Sequence, residues 1–91
     1  MSIFIKDPDA VLDYAFDWSS WLDAGAGEAI SSHTIDADTG ITVDSSAEAA
    51  GVVTVWLSGG THGTDYAVRC EIVTDDSRTD ERTMIIKVQE R

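Results

Sequence analysis

Short segments of alternating apolar and polar residues predict an all-β fold for this chain, a small sandwich of six to seven antiparallel strands. The clearest segment is the closing hairpin, whose predicted strands cover 65–73 and 81–90 around a polar turn at 74–80. Successive side chains of a strand point to opposite faces, so this alternation indicates one buried and one solvated face. Such strands recur every ~8–12 residues, and no segment predicts a helix longer than a turn or two, which is typical of a β-sandwich.

The first half begins with a short predicted edge strand at 3–6, which ends at Pro8 because proline lacks a backbone donor. In the next segment, 12–18, aromatic residues alternate with aspartates. Tyr14 and Trp18 also fit helical spacing, but the aromatic content and the strict alternation favour a strand.

The middle of the chain has weaker patterns. Residues 28–37 predict a polar strand, with Ile30 on one face and His33 and Ile35 on the other. The apolar run at 52–57 predicts a central strand, because a strand buried on both faces need not alternate. The remaining segments are predicted to be a turn of helix at 21–23, a flexible connection at 25–27, a turn at 38–40 that leads into 41–44, a small-residue linker at 45–51 and a glycine-rich loop at 58–64.

Length and composition limit the class of protein. The 91 residues predict a single domain, 1–91, with a small core. No apolar run approaches the ~20 residues that span a bilayer, and the first six residues are too short for a signal peptide. Cys70 is the sole cysteine, and its inward phase predicts a buried, unreactive side chain. Synthesis in a reducing cytoplasm is therefore expected.

The chain is strongly acidic, with a net charge of −11 from 17 acidic and 6 basic residues. Such a chain is repelled by nucleic acid and by anionic membranes, so neither is an expected partner. Three explanations of the charge stay open. It serves solubility, it suits high-salt surroundings, or it serves docking onto a basic surface.

No segment predicts a complete cofactor or metal site. Asp36, Asp38 and Gly40 have the spacing of part of a calcium loop, but the third ligand is missing and an ordinary turn is expected. His33 and His62 are the only imidazoles, and zinc needs further nitrogen or sulfur ligands. The glycine-rich loop lacks the lysine and the helix of a phosphate cradle. We therefore predict no cofactor and no enzymatic activity.

The tryptophans are the most informative large residues. Trp18 shares the inward phase of Tyr14 and is predicted to lie in the core. Trp56 has the opposite phase from Val53 and Val55. Either the valines face the core and Trp56 is an exposed interface anchor, or Trp56 is the core residue and the valines face outward.

Several separate segments resemble a family of small tailed-bacteriophage virion proteins, commonly described as phage fiber–tail adaptors. The resemblance extends over nearly the whole chain and rests on these segments: KDPDAVLDYAFDWSSWL at 6–22, GITV at 40–43, VWLSGGT at 55–61, YAV at 66–68 and RTDERT at 78–83.

The resemblance implies an immunoglobulin-like sandwich and a place in the virion, attached to capsid, neck or tail subunits. Many copies on a symmetric assembly are expected, because virion components repeat on symmetric lattices. Capsid decoration is an alternative role within this class, and a carbohydrate- or host-surface-binding module is an alternative from another class. The predicted partner-contact residues are Ile3, Phe4, Trp21, Trp56 and His62.

Overall fold

The computed structural model describes residues 2–22 and 27–90, and all regular structure within these ranges is β-strand. Accordingly, these ranges contain no helix long and apolar enough to cross a membrane. The predicted all-β class is confirmed. The strands are β1 (Ser2–Lys6), β2 (Leu12–Asp17), β3 (Ile30–Ala37), β4 (Ile41–Ala49), β5 (Val52–Gly59), β6 (Thr64–Thr74) and β7 (Thr79–Val88).

The strands form two sheets, one of four strands in the order β1-β7-β6-β3 and one of three in the order β2-β5-β4. This arrangement matches the immunoglobulin sandwich, except that the first strand pairs with the last instead of with the second. The prediction of antiparallel strands is wrong for one pair, because β1 runs parallel to β7. The chain leaves β1 through the turn around Pro8, where Ala10 N donates to Asp7 O at 3.1 Å, and then enters the opposite sheet as β2.

The core consists of the inward side chains of both sheets. The predicted phase of the closing hairpin is confirmed, since Tyr66, Val68, Cys70 and Ile72 are buried from β6. The other buried apolar residues are Tyr14, Phe16, Trp18, Ile30, Ile41, Val53, Val55, Leu57, Met84, Ile86 and Val88.

The connection between β5 and β6 is held by a tyrosine, a feature of immunoglobulin-like sandwiches. The backbone N–H of Thr61 donates to the hydroxyl of Tyr66 at 3.0 Å. Gly60 in this loop has φ of +97°, and a Cβ there would lie 2.6 Å from a methyl carbon of Val88. Only glycine fits both the backbone angle and the space. The predicted glycine-rich loop thus connects one sheet to the other.

A buried lysine joins the two sheets at the same end. Lys6 is fully buried, and its ammonium group donates to the backbone oxygens of Asp7 at 2.9 Å and Gly59 at 2.8 Å. These bonds satisfy a cation whose pKa burial lowers. They tie the end of β1 to the end of β5.

The predicted linker at 45–51 is wrong, because most of it belongs to β4. Small residues gave a weak strand signal there, but β4 pairs with β5 along its whole length. The two strands are joined by Ala50 and Gly51, with φ of 51° and 83°. Two positive φ values in a two-residue hairpin turn match the twist of the strands that they connect.

The predicted faces of the strand at 28–37 are also wrong in part. The strand begins at Ile30, and its register with β6 shifts between Ile30 and Ser32. This bulge inserts one residue, so the buried Ile30 and the half-buried Ile35 lie on the same side. Asp23 of the predicted helical turn and the first two residues of the predicted connection at 25–27 lie outside the described residues.

Candidate protein-docking surface

The outer surface of the three-stranded sheet is centred on Trp56. This residue lies on the middle strand β5 and is 43% exposed, whereas Val53 and Val55 are fully buried. Of the two alternatives for Trp56, the exposed position is therefore the correct one. Its cross-strand neighbours are Asp13 on β2 and Ser45 on β4.

Small side chains surround Trp56 on this sheet. The next row across the strands is Ala15, Thr54 and Ala47, followed by Asp17, Val52 and Ala49. Because alanine and threonine have small side chains, the indole ring of Trp56 is the largest side chain on this part of the sheet. We call the outward side chains of β2, β5 and β4 in these rows the Trp56 face.

A second apolar surface lies on the opposite side of the sandwich, at the edge of the four-stranded sheet. Ile3 and Ile5 on β1 are 57% and 47% exposed. Ile3 pairs with Ile85, and Ile85 pairs with Ala67. We call this group the Ile3 strip. Its strand β1 has one unpaired edge and no register shift, whereas β3 and β4 each contain a bulge.

The structure does not bring the five predicted contact residues together. Ile3 and Trp56 are on opposite outer faces. Phe4 points inward, is half-buried and packs on Tyr14 with ring centroids 5.1 Å apart. His62 is exposed in the loop before β6, and its Nδ1 accepts a hydrogen bond from Glu90 N at 3.0 Å.

The fifth residue, Trp21, is part of a stack of aromatic rings and arginines at the other end of the sandwich. Its ring meets Trp18 edge-on at 5.4 Å, and the Arg78 guanidinium lies 4.1 Å from its centroid. Arg82 covers Trp18 at 4.3 Å. These cation–π contacts close the end of the core.

A buried carboxylate secures the same end of the molecule. Glu28 has a fully buried side chain, and both of its oxygens accept hydrogen bonds from Arg78, one of them from Nε at 2.8 Å. The hydroxyl of Thr74 donates to the same carboxylate at 2.7 Å. This pairing fixes the segment before β3 to the turn between β6 and β7, so the network is a structural clamp.

The segment with partial calcium-loop spacing is an ion-pair cluster in this structure. Arg69 lies 3.2 Å from Asp36 and 2.9 Å from Asp38. Asp38 also accepts a hydrogen bond from Ala67 N at 2.9 Å. The ordinary turn expected from the sequence at 38–40 is therefore stabilised by an ion pair between Asp38 and Arg69. Within the described residues, no three His, Cys, Asp or Glu side chains come together as metal ligands do.

This cluster makes a prediction about acid stability. The hydrogen bond from Ala67 and the Arg69 guanidinium lower the pKa of Asp38 below its ordinary 3.8. A carboxyl whose pKa is lower in the folded protein than in the unfolded chain stabilises the fold at any pH above its unfolded-state pKa. That stabilisation is lost as the pH falls through the folded-state pKa. We expect Asp38→Ala to lower the thermal midpoint by a few degrees at pH 7. The loss of stability below about pH 3.8 should be shallower than in the wild type.

Thermal unfolding followed by circular dichroism across this pH range measures both effects. Asp36→Ala is the matched control, because it removes a contact to the same guanidinium at 3.2 Å. A parallel acid dependence for Asp38→Ala and the wild type would contradict the assignment.

The cysteine is part of the core. Cys70 is fully buried, and desolvation raises the pKa of its thiol, while the Trp18 side chain acts in the opposite direction. A thiol that resists ionisation is a weak nucleophile. Cys70 therefore packs as a small apolar residue.

The residues around Trp56 were not singled out from the sequence. Asp13 and Ala15 occupy outward positions of β2, where alternation was a usable signal, whereas Thr54 lies in the run at 52–57, which has no such alternation. Ser45 and Ala47 carried no such signal, because their segment did not predict a strand.

Comparison with known proteins identifies the family. The family model described as "Podophage GP4 fiber-tail adaptor protein gp77" matches residues 6–87, which include six of the seven strands in full or nearly so. No curated protein matches the chain. The family match extends over far more than half of the sequence. The chain therefore belongs to the podophage Gp4 fiber-tail adaptor family, gp77.

Proposed function

We propose that this chain is a non-enzymatic structural adaptor of a tailed-phage virion, which docks onto tail or neck subunits through the Trp56 face. The observation that carries the proposal is the family match over residues 6–87. The family is one of phage adaptors, so its members connect structural proteins. The exposed Trp56 supplies the kind of anchor that dominates protein interfaces.

An adaptor needs two contact surfaces, and this molecule has two of different kind on opposite sides. The Trp56 face is a shallow sheet surface with one large aromatic side chain. The Ile3 strip lies on an open strand edge, to which an extended segment of another subunit can add by backbone hydrogen bonds. We assign the first to one partner and the second to the other, so that the sandwich acts as a rigid spacer.

The histidines make local structural contacts. His33 Nε2 lies 3.0 Å from the hydroxyl of Ser46 and joins β3 to β4, and His62 holds the backbone after β7. These contacts support a structural role for both imidazoles.

Copy number in purified virions tests the proposal. Quantitative mass spectrometry against the major capsid protein should give about six or twelve copies per particle, as cyclic symmetry at the tail requires. A ratio near one per capsid subunit or per capsomer would support capsid decoration instead. Absence from the virion would overturn a virion role altogether.

Exposure of Trp56 also favours a second candidate, a carbohydrate- or host-surface-binding module. An indole ring standing on a shallow face is suited to stacking on an apolar ligand surface. A glycan array with the wild type and Trp56→Ala separates the two functions. Glycan binding that is lost in the variant would favour the module, and an array without signal would favour the adaptor.

A further inference from the structure

Charge is distributed unequally between the two sheets. The three strands of the Trp56 face carry the exposed Asp13, Asp17 and Asp44 and no lysine or arginine, while their fourth acid, Glu48, lies opposite the buried Val53 and accepts a hydrogen bond from Gly51 N. The described basic residues all belong to the other sheet or to its β6–β7 turn: Lys6, Arg69, Arg78, Arg82 and Lys87. The three-stranded sheet itself therefore contributes acidic but no basic side chains, and the base that reaches its edge is Arg82 of β7, which donates to Asp17 O at 2.7 Å.

Some of the acids on the four-stranded sheet form ion pairs. On the four-stranded sheet, Asp36 pairs with Arg69 at 3.2 Å and Asp65 pairs with Lys87 at 3.1 Å. On the other sheet, Asp44 accepts a hydrogen bond from the neutral hydroxyl of Ser58 at 3.0 Å. A neutral donor adds no positive charge, and the cation that acts on Asp44 is the buried Lys6 ammonium.

Two of the carboxylates on the three-stranded sheet are neighbours of Trp56. Asp13 is the direct cross-strand neighbour of Trp56, which puts their Cβ atoms about 5 Å apart. Asp44 lies at the bulge beside Ser45, the neighbour of Trp56 on the other side. Both acids are exposed. Trp56 thus has a carboxylate on each flank.

We propose that the Trp56 face docks onto a basic protein surface, which has lysine or arginine opposite Asp13 and Asp44 and a recess for the Trp56 indole. This inference rests on the proposed adaptor function and names the chemistry of its partner. A second copy of this chain does not fit as the occupant, because two such faces would oppose like charges. The net charge of −11 also makes two copies of the chain repel each other.

The anchor and the acids have separate physical effects. Charges at the rim of an interface mainly raise the association rate and make binding sensitive to salt. A buried aromatic anchor mainly slows dissociation and is little affected by salt. The two contributions can therefore be measured independently.

The probe is the tailed particle purified from phage that lack the gene for this chain. Fluorescently labelled protein is titrated onto these particles at about 50 mM and about 500 mM NaCl, a range over which screening increases severalfold. The test variant is the double substitution Asp13→Asn and Asp44→Asn, in which asparagine can still accept the hydrogen bond of Ser58. The matched control is Glu71→Gln with Glu81→Gln, two exposed acids that face each other on the other sheet.

We expect wild-type affinity to fall at least tenfold between the two salt concentrations. The double substitution Asp13→Asn and Asp44→Asn should lower affinity about tenfold at low salt and flatten the salt dependence, whereas the control Glu71→Gln with Glu81→Gln should stay within twofold of the wild type. Carbodiimide, which joins carboxylates directly to lysines, should link Asp13 or Asp44 to a lysine of a particle protein.

The outcomes separate this inference from the proposed function. Binding of the wild type that is independent of salt, and unchanged in the Asp13 and Asp44 double variant, would overturn the basic partner while the adaptor function stands. Failure of the wild type to bind the particles at all would overturn both.

Discussion

Trp56→Ala is expected to prevent incorporation of the chain into virions while leaving its fold intact. Truncating a central aromatic anchor commonly costs 2 kcal/mol or more of binding free energy, about a 30-fold loss of affinity. Trp56 is 43% exposed on the surface of β5, so few core contacts depend on it. We expect the free energy of unfolding to change by less than about 1 kcal/mol.

The measurement is mass spectrometry of virions from phage complemented with the variant, together with urea unfolding of the isolated protein. Thr54→Ala is the matched control, since Thr54 lies on the same strand and face. It should be incorporated almost as well as the wild type. Wild-type incorporation of Trp56→Ala would remove the Trp56 face as the docking surface and leave the Ile3 strip as the candidate.

Trp18→Ala should have the largest effect on stability. Trp18 is fully buried, meets the Trp21 ring edge-on and is covered by Arg82 at 4.3 Å. Removing a buried tryptophan costs about 3–5 kcal/mol, from lost apolar contacts and the cavity left behind. A domain of this length is stable by only about 5–14 kcal/mol, so this loss is a large fraction of the total free energy of unfolding.

Urea unfolding followed by far-ultraviolet circular dichroism measures this loss, because that signal does not depend on tryptophan fluorescence. Trp18→Phe is the control. It retains an aromatic ring beside Trp21 and Arg82 and should recover about half of the lost stability. A loss below about 1 kcal/mol for Trp18→Ala would show that the end of the core tolerates the cavity.

The burial of Trp18 could be predicted from the sequence, whereas the exposure of Trp56 could not. Trp18 belongs to a segment in which aromatic residues alternate with aspartates, so its inward position follows from the period of a strand. The closing hairpin was predictable for the same reason. The phase of Tyr66, Val68 and Cys70 agrees with their burial.

Trp56 belongs to a segment without such alternation. The run at 52–57 is apolar on both faces, so local periodicity could not say which face is covered. The packing of the second sheet decided it, because Val53, Val55 and Leu57 all meet the core. The charge balance raised the question of a basic partner, but only the assignment of strands to sheets showed that the described bases belong to the four-stranded sheet and its β6–β7 turn, with none on the strands around Trp56.

By itself the sequence determined the all-β class, the buried position of Trp18 and the resemblance to a phage adaptor family. These depend on local alternation and on the order of residues along the chain. The tertiary structure decided the parallel pairing of β1 with β7, the strand character of β4, the bulge after Ile30 and the exposure of Trp56. Each of these depends on which segment lies alongside or across from another, and that choice is made by long-range pairing and burial.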